Sequence, residues 1–323
     1  MTIDYESDQR KRTFLYKAFH SNKVLNSKFS FFPFELSSFA ETPALLEEVQ
    51  SFIDQAHCQG KQTVFYFSHD NDHPISEFLH GDPFVFRNSM SKNFEYINEY
   101  NIPSHVDNFR QSVIALNKLE WNLVPRVSFM GWATVAKPIT DKLRGHGLSK
   151  TKGLISPAVF PTPTSIGTVL RKKAIEIIEG DERIESSFTI FDRFFPHYPE
   201  EFKMANRQQY LDSMCNTHYV LTIRGCGNYS MRHFETLAAG RIPVLVDTNQ
   251  HLPFESEIAW KDSGVWIPFE DFNSISDLIF DFHSNLDKNR FNELTFHNED
   301  IYQKFVTREG VIRQIQKILM RNL

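Results

Sequence analysis

The sequence predicts an α/β protein of two domains built on parallel sheets. Three observations predict it. At 323 residues the chain exceeds the size at which one hydrophobic core usually suffices. Its apolar stretches alternate between strand-length, almost unbroken runs and helix-length amphipathic ones, the order expected of βαβ units. And residues 137–168, KPITDKLRGHGLSKTKGLISPAVFPTPTSIGT, are rich in Pro, Gly, Ser and Thr and read as an interdomain connection.

In PALLEEVQSFIDQAHCQG, Leu45, Leu46, Val49, Phe52, Ile53 and Ala56 share one face, and Gly60 lies just past the end, so a helix is expected. TVFYFSHD and RVSFMGW (126–132) then read as strands buried on both faces. After the connection come a helix at 168–179, strand SFTIF (187–191), a helix at 206–214, strand HYVLTI, a helix at 230–239, and strands IPVLV and GVWIPF. A helix at 274–285 completes the alternation. In the last element, VTREGVIRQIQKILMRNL, Val311, Ile312, Ile315, Ile318 and Leu319 form a stripe for packing back on the body, with basic residues on the other faces.

Composition narrows the function. A hydrophobic fraction of 41% with 31 Phe suits packed cores, and a net charge of −5 argues against nucleic acid as a partner. Cys58, Cys215 and Cys226 form neither a zinc motif nor a disulfide framework. The polar N-terminus and the lack of a membrane-length apolar run give the expectation of a cytoplasmic protein, with peripheral contact to an inner membrane as the one membrane association left open.

The most informative stretch is RGCGNYSMRHFETLAAGRIPVLV, Arg224 to Val246. A buried strand runs into a turn whose glycines let backbone N–H groups approach a ligand, and Ser230 stands at the N-cap of the next helix. A helix N-terminus at the carboxyl end of a strand is an anion site. Arg224 and Arg232 suit phosphate oxygens, and Glu235, one turn in, suits the two hydroxyls of a ribose. Helical spacing puts Met231, Phe234, Leu237 and Ala238 on the core side. Two other readings stay open: an Arg232–Glu235 surface pair, and a dinucleotide fold using Gly225, Gly227 and Asp247, although the third glycine of GxGxxG is Ser230.

LTIRGCGNYSMRHFETLAAGRIPVLVDTNQHLPF resembles the signature of exostosin-family glycosyltransferases: a strand, R-G, a short turn, S-x-R-x-x-E-x-L-x-x-G, then I-P-V and L-P-F. The resemblance continues through EIAWKDSGVWIP and NEDIYQKFVTREG. It implies a GT-B architecture, two Rossmann-like domains with sheets facing across a cleft: residues 1–148 on the acceptor side, 149–310 for the nucleotide-sugar, and 311–323 as a terminal helix packing back. It also implies transfer of a sugar, with inversion and without a bound metal or other cofactor. The donor would be a nucleotide-diphosphate sugar, expected to be UDP-linked, and the acceptor a carbohydrate or lipid-linked glycan of cell-surface polysaccharide synthesis. Arg193, Arg224, Gly225, Gly227, Asn228, Ser230, Arg232 and Glu235 would hold the donor. A nucleotide-cofactor oxidoreductase and an inactive, glycosyltransferase-like binding protein are the alternatives.

His69, Asp70, Asp72 and His73 cluster after the strand TVFYF. An inverting transfer needs a base across the cleft from the donor, and Asp70 or Asp72 would serve. Asp70-Asn71-Asp72 is also a DxD, a manganese pattern, and the stretch could equally be a polar turn before Pro74. Arg87, Glu99 and Asp107 are further candidates for acceptor contacts, and His146 borders the expected cleft.

Overall fold

A computed structural model of the protein describes residues 12–39, 43–104, 107–113, 119–133, 166–192 and 198–323. It contains two separate parallel sheets, each covered by helices on both faces, and so has the two Rossmann-like layers and returning terminal helix of the expected GT-B class.

The first sheet has the order β1 (Phe29–Glu35), β2 (Gln62–Phe67), β3 (Phe84–Arg87), β4 (Glu99–Asn101). β2 and its preceding helix α2 (Pro43–Cys58) match the sequence expectation. β1 was not expected, because Pro33 sits in its middle and proline removes a ladder donor; the strand is an edge, where that loss is tolerated. One face packs on α2 through Phe32, Phe34, Phe65 and Phe67. Phe32 meets Phe52 edge-on at 5.1 Å, a geometry that adds about 0.5–1.5 kcal/mol beyond burial. The other face packs on α1 (Phe14–Phe19) and α9 (Arg308–Met320), where Leu15, Phe19, Val311, Ile315 and Leu319 share one core.

The second sheet has the order β6-β5-β7-β8-β9, from β5 (Arg126–Trp132), β6 (Glu185–Phe191), β7 (Tyr219–Leu221), β8 (Ile242–Val246) and β9 (Val265–Ile267). Helices α4 (Ile166–Glu179) and α7 (Ile275–Ser284) cover one face. The other face carries α5 (Glu200–Cys215), α6 (Met231–Ala238) and α8 (Lys288–Ile301), together with α3 (Asp107–Val113), whose Arg110 donates to the Ala238 carbonyl at 2.6 Å.

The 148/149 boundary is therefore corrected. β5 pairs with β6 over seven residues, Arg126–Trp132 against Glu185–Phe191, so it belongs to the second sheet. The chain changes layers between β4 and α3, and the Pro/Gly-rich stretch, mostly outside the described residues, joins β5 to α4 within the second unit. A buried strand carries no mark of which sheet it will join, and punctuation by Pro and Gly looks alike in a linker and in a long β–α connection.

Strand order in the second sheet reverses at β5. The first connection runs outward to β6, the later ones run the other way from β7, and the crevice between the carboxyl ends of β5 and β7 is the switch point at which open α/β sheets bind ligands. At the opposite end of these strands, His218 Nδ1 accepts from the Arg126 backbone N–H at 3.1 Å, and its Nε2 faces the Glu120 carbonyl at 3.2 Å. Burial holds His218 and the fully buried His233 down at about 4. Between pH 6.5 and 4 the unfolded chain binds protons at these rings and the native one does not, so stability falls as the pH is lowered through that window. Each ring contributes a loss of about 3 kcal/mol at full effect. The melting temperature should fall steadily from pH 6.5 to 4, and a flat profile across that range would contradict neutral rings in the native state.

Candidate functional site

At the switch point lies a cavity of about 350 Å³, between β5, the first turn of α6, and α5. Its cations are Arg171, Arg207 and Arg232, its acid is Glu235, and Trp132 and Phe191 supply aromatic walls. Arg232 donates to the Met130 carbonyl at 2.7 Å, and its guanidinium lies 4.3 Å from the centre of the Phe129 ring. That position depends on Gly131, where a Cβ would fall 2.7 Å from Arg232 Nη2. Arg171, from α4, donates to the carbonyls of Ile223 and Trp132 and so ties β7 to β5. Burial first, and the charge of Arg232 second, hold Arg171 down at about 9. Two desolvated guanidiniums bound mainly to neutral carbonyls present a strong demand for an anion.

Glu235 is not part of a surface pair with Arg232. Its carboxylate is half-buried and accepts a short hydrogen bond from the Tyr210 hydroxyl. Burial raises its pKa, opposed by that bond and by the Arg232 charge. One oxygen is shared with Tyr210, and the residue lines the cavity with acceptor capacity left for a ligand donor. Ser230 holds the N-cap position in extended conformation, as expected, but its side chain makes no capping bond. Met231 is 48% exposed and lines the cavity instead of the core, while Thr236 is buried, because α6 is enclosed by β8, α3 and α8 on nearly every side.

The expected donor set divides in two. Ser230, Arg232 and Glu235 line the cavity; Arg224, Gly227 and Asn228 face the first sheet. Asn228 is buried, donates its backbone N–H to Ser89 Oγ at 2.8 Å, and exchanges side-chain bonds with Thr248. It is a tie between the layers, its carboxamide held on Thr248 and away from the cavity lining. Arg224 donates to the Cys226 carbonyl, and the charges nearest it are those of Asp72 and Asp70. A Cβ at Gly227 would fall 2.7 Å from Asp70 Oδ1, so Asp70 is seated directly against the glycine turn. Gly225 takes only ordinary contact from Arg171, with its N–H bonded to the Tyr229 carbonyl. Arg193 and His146 lie outside the described residues.

Asp70 and Asp72 are held by a buried ion pair. Arg87 and Glu99, which read either as acceptor contacts or as solvated surface residues, have side chains 0% and 1% exposed and meet at 2.5 Å. Arg87 also donates to the carbonyls of Asn71 (2.5 Å) and His73 (2.8 Å), and Glu99 accepts the Ile75 N–H at 2.6 Å. The polar turn that the spacing allowed is present too: Asn71 Oδ1 accepts the His73 N–H at 2.7 Å. His69 Nδ1 accepts the Asn71 N–H, so the neutral ring keeps its proton on Nε2 and cannot take another there. Among the described residues no three His, Cys, Asp or Glu side chains converge as metal ligands. Asp247 closes a turn by accepting from the Asn249 N–H, away from the cavity, which removes the residue a dinucleotide reading needs.

No family model matches the chain. It is 39% identical to Exostosin-1 of Drosophila melanogaster over 67 residues, 21% of this chain and 9% of the fly protein. With the Exostosin-1 homolog of Caenorhabditis elegans it shares 27% over 107 residues, 33% of this chain and 27% of the worm protein. Over those stretches the chain is exostosin-like. It spans only about a tenth to a quarter of the length of these relatives. Among solved structures, TarM aligns over 80% of this chain and 50% of its own at a TM-score of 0.44 and 11% identity. A glycosyltransferase from Rickettsia africae aligns over 87% and 82% at 0.44 and 8%.

Beside this exostosin-like motif, sequence reading missed Arg171, Arg207, Tyr210 and Gly131. A signal existed for Arg171: it is a cation on the otherwise apolar stripe of Gly167, Ala174 and Ile178. Tyr210 and Arg207 lie on a largely polar helix whose inward face gives little periodic signal.

Removing one partner of a buried pair strands the other, so Arg87→Ala should cost about 3–5 kcal/mol of stability by denaturant unfolding. Gly131→Ala should leave the fold nearly unchanged but push Arg232 off its carbonyl. The expected result is a tenfold or greater loss of inorganic pyrophosphate affinity by calorimetry, about 1.4 kcal/mol.

Proposed function

We propose that this protein is a glycosyltransferase that moves a sugar from a nucleoside-diphosphate sugar, UDP-linked, to a hydroxyl of a glycan with inversion at the anomeric carbon. One observation carries the reading: three arginines and one half-buried carboxylate surround a cavity at the switch point of the second sheet, phosphate chemistry and ribose chemistry in one crevice. Its agreement with the exostosin-like signature supports it.

In this reading Arg232 and Arg171 hold the diphosphate, Glu235 the ribose, and the aromatic walls the base. The acceptor oxygen bonds to the anomeric carbon as the bond from that carbon to the diphosphate oxygen breaks. The electron pair leaves on the diphosphate, where the guanidiniums and the α6 N-terminus stabilise it. The acceptor proton passes to a carboxylate, and Asp70 is the better placed of the two candidates because it sits against Gly227. Arg224, moved from the donor set, lies beside both aspartates and offsets their charge. The acceptor belongs to cell-surface polysaccharide synthesis in this proposal. No helix among the described residues is long and apolar enough to cross a membrane, and the basic faces of α9 would allow at most peripheral contact.

UDP at a hundred times its Kd should stabilise the protein by about 2.7 kcal/mol, read as a thermal shift. Glu235→Gln should weaken UDP by about 1.5–3 kcal/mol yet leave a 2′,3′-dideoxy analogue unaffected. Equal weakening of both would remove Glu235 from the ribose. Because arginines serve the diphosphate, transfer should persist in EDTA. Loss of transfer with rescue by manganese would instead make Asp70-Asn71-Asp72 a metal motif.

A further inference from the structure

A second groove, of about 430 Å³, lies beside β4, between the loop after β3, the loop after β8, and α9. Its volume is within the range typical of small-molecule sites, about 300–1,000 Å³. Phe94, Tyr96, Tyr100 and Phe254 present rings to it. Between the rings stand polar groups with no protein partner among the described residues. Gln314 is only 6% exposed, yet its carboxamide bonds to no other residue and opens on the groove. The Tyr100 hydroxyl and the Lys317 ammonium are likewise uncommitted. The lining carries the acids Glu99, Glu255 and Glu257 and the bases Lys317 and Arg321, and each acid is engaged: Glu99 with Arg87, Glu257 with Arg321 at 3.5 Å, Glu255 with His251 and with Lys92 from outside the groove.

The groove connects to the aspartates through one side chain. The Tyr96 hydroxyl donates to the Asp72 carbonyl and accepts the Ser91 N–H at 2.8 Å, so its ring is fixed with one end in the groove and the other on the Asp70–Asp72 loop.

We propose that this groove binds a neutral hexopyranose chain, the part of the acceptor glycan remote from the reacting hydroxyl. The identity of the chain as acceptor rests on the glycosyltransferase reading; its binding does not. Pyranose rings carry apolar C–H faces that stack on aromatic rings, and equatorial hydroxyls that both donate and accept, which suits a free carboxamide, a phenol and an ammonium. A lining with no excess of bases favours a neutral chain over a polyanion.

The test is calorimetric titration of the full-length protein with cellohexaose, chitohexaose and hexagalacturonate, and with UDP on the same samples. At least one of the two neutral oligosaccharides should bind saturably at up to millimolar concentration. Phe94→Ala should weaken it about tenfold, Phe94→Tyr should retain it, and UDP affinity should be the same in all three proteins. Unchanged melting temperatures establish that the variants are folded, and Lys317→Ala, at an exposed position, serves as a second probe of the groove. Binding of neither neutral chain, binding of hexagalacturonate alone, or neutral binding indifferent to Phe94 and Lys317 overturns the proposal. The two readings fail separately: UDP without sugar binding leaves the donor site and removes the groove, and sugar without UDP binding does the reverse.

Discussion

The buried contact between Arg87 and Glu99 is what the site geometry depends on. A guanidinium with no solvent exposure is tolerable only if its charge is paired and most of its donors are used. Here Glu99 supplies the charge and the carbonyls of Asn71 and His73 take further bonds from the terminal nitrogens, so that Nε alone is left without a partner among the described residues. The same satisfaction of a buried cation therefore fixes the backbone on either side of Asp72, and Glu99 fixes Ile75 beyond it. The loop follows the demands of Arg87, and the two aspartates follow the loop. Two residues beyond β3, Ser89 passes the constraint across the layers, donating to the Asp70 carbonyl and accepting from Asn228.

That chain of contacts explains how a residue from each sheet can be held in register without a large apolar interface. The loops after β3 and β8 are joined by a two-residue antiparallel bridge, Ser91 with Gln250, reinforced by Lys92 N–H to the Asn249 carbonyl and by Asn249 with Asn93. These are main-chain and amide bonds, which specify position to within a few tenths of an ångström where apolar packing would allow sliding. The cavity at the switch point is built differently. Its precision comes from close approach, with Gly131 making room for Arg232.

Much of this was legible in the sequence, and the limits have physical causes. The alternation from α4 to α7 appears where expected, because amphipathic helices and all-apolar parallel strands have distinct periods. The cations of the turn and helix at 224–235 were readable from residue type. What could not be read is direction. Arg224 and Arg232 are eight residues apart and chemically alike, yet a turn between them sends one toward the aspartates and the other into the cavity. Arg87 and Glu99 read as surface charges because their pairing spans two strands and leaves no local pattern. β1 was hidden by Pro33, and β5 was visible as a strand but silent about its sheet, since membership is decided by partners more than fifty residues away.

The return of α9 to the first sheet has a consequence for how the molecule is made. Leu15 and Phe19, near the start of the chain, complete their core against Val311, Ile315 and Leu319, near its end. Contacts of such separation in sequence close late, because the loop they close is nearly the whole chain. During synthesis, with growth from the N-terminus, the phenylalanine-rich sheet emerges first but keeps one apolar face open until α9 leaves the ribosome. The second unit, whose strands and helices are contiguous from α3 to α8, can close its own core before then. Of the two units, the one translated earlier is thus the one finished later, and its exposed face is the surface a chaperone would have to shield.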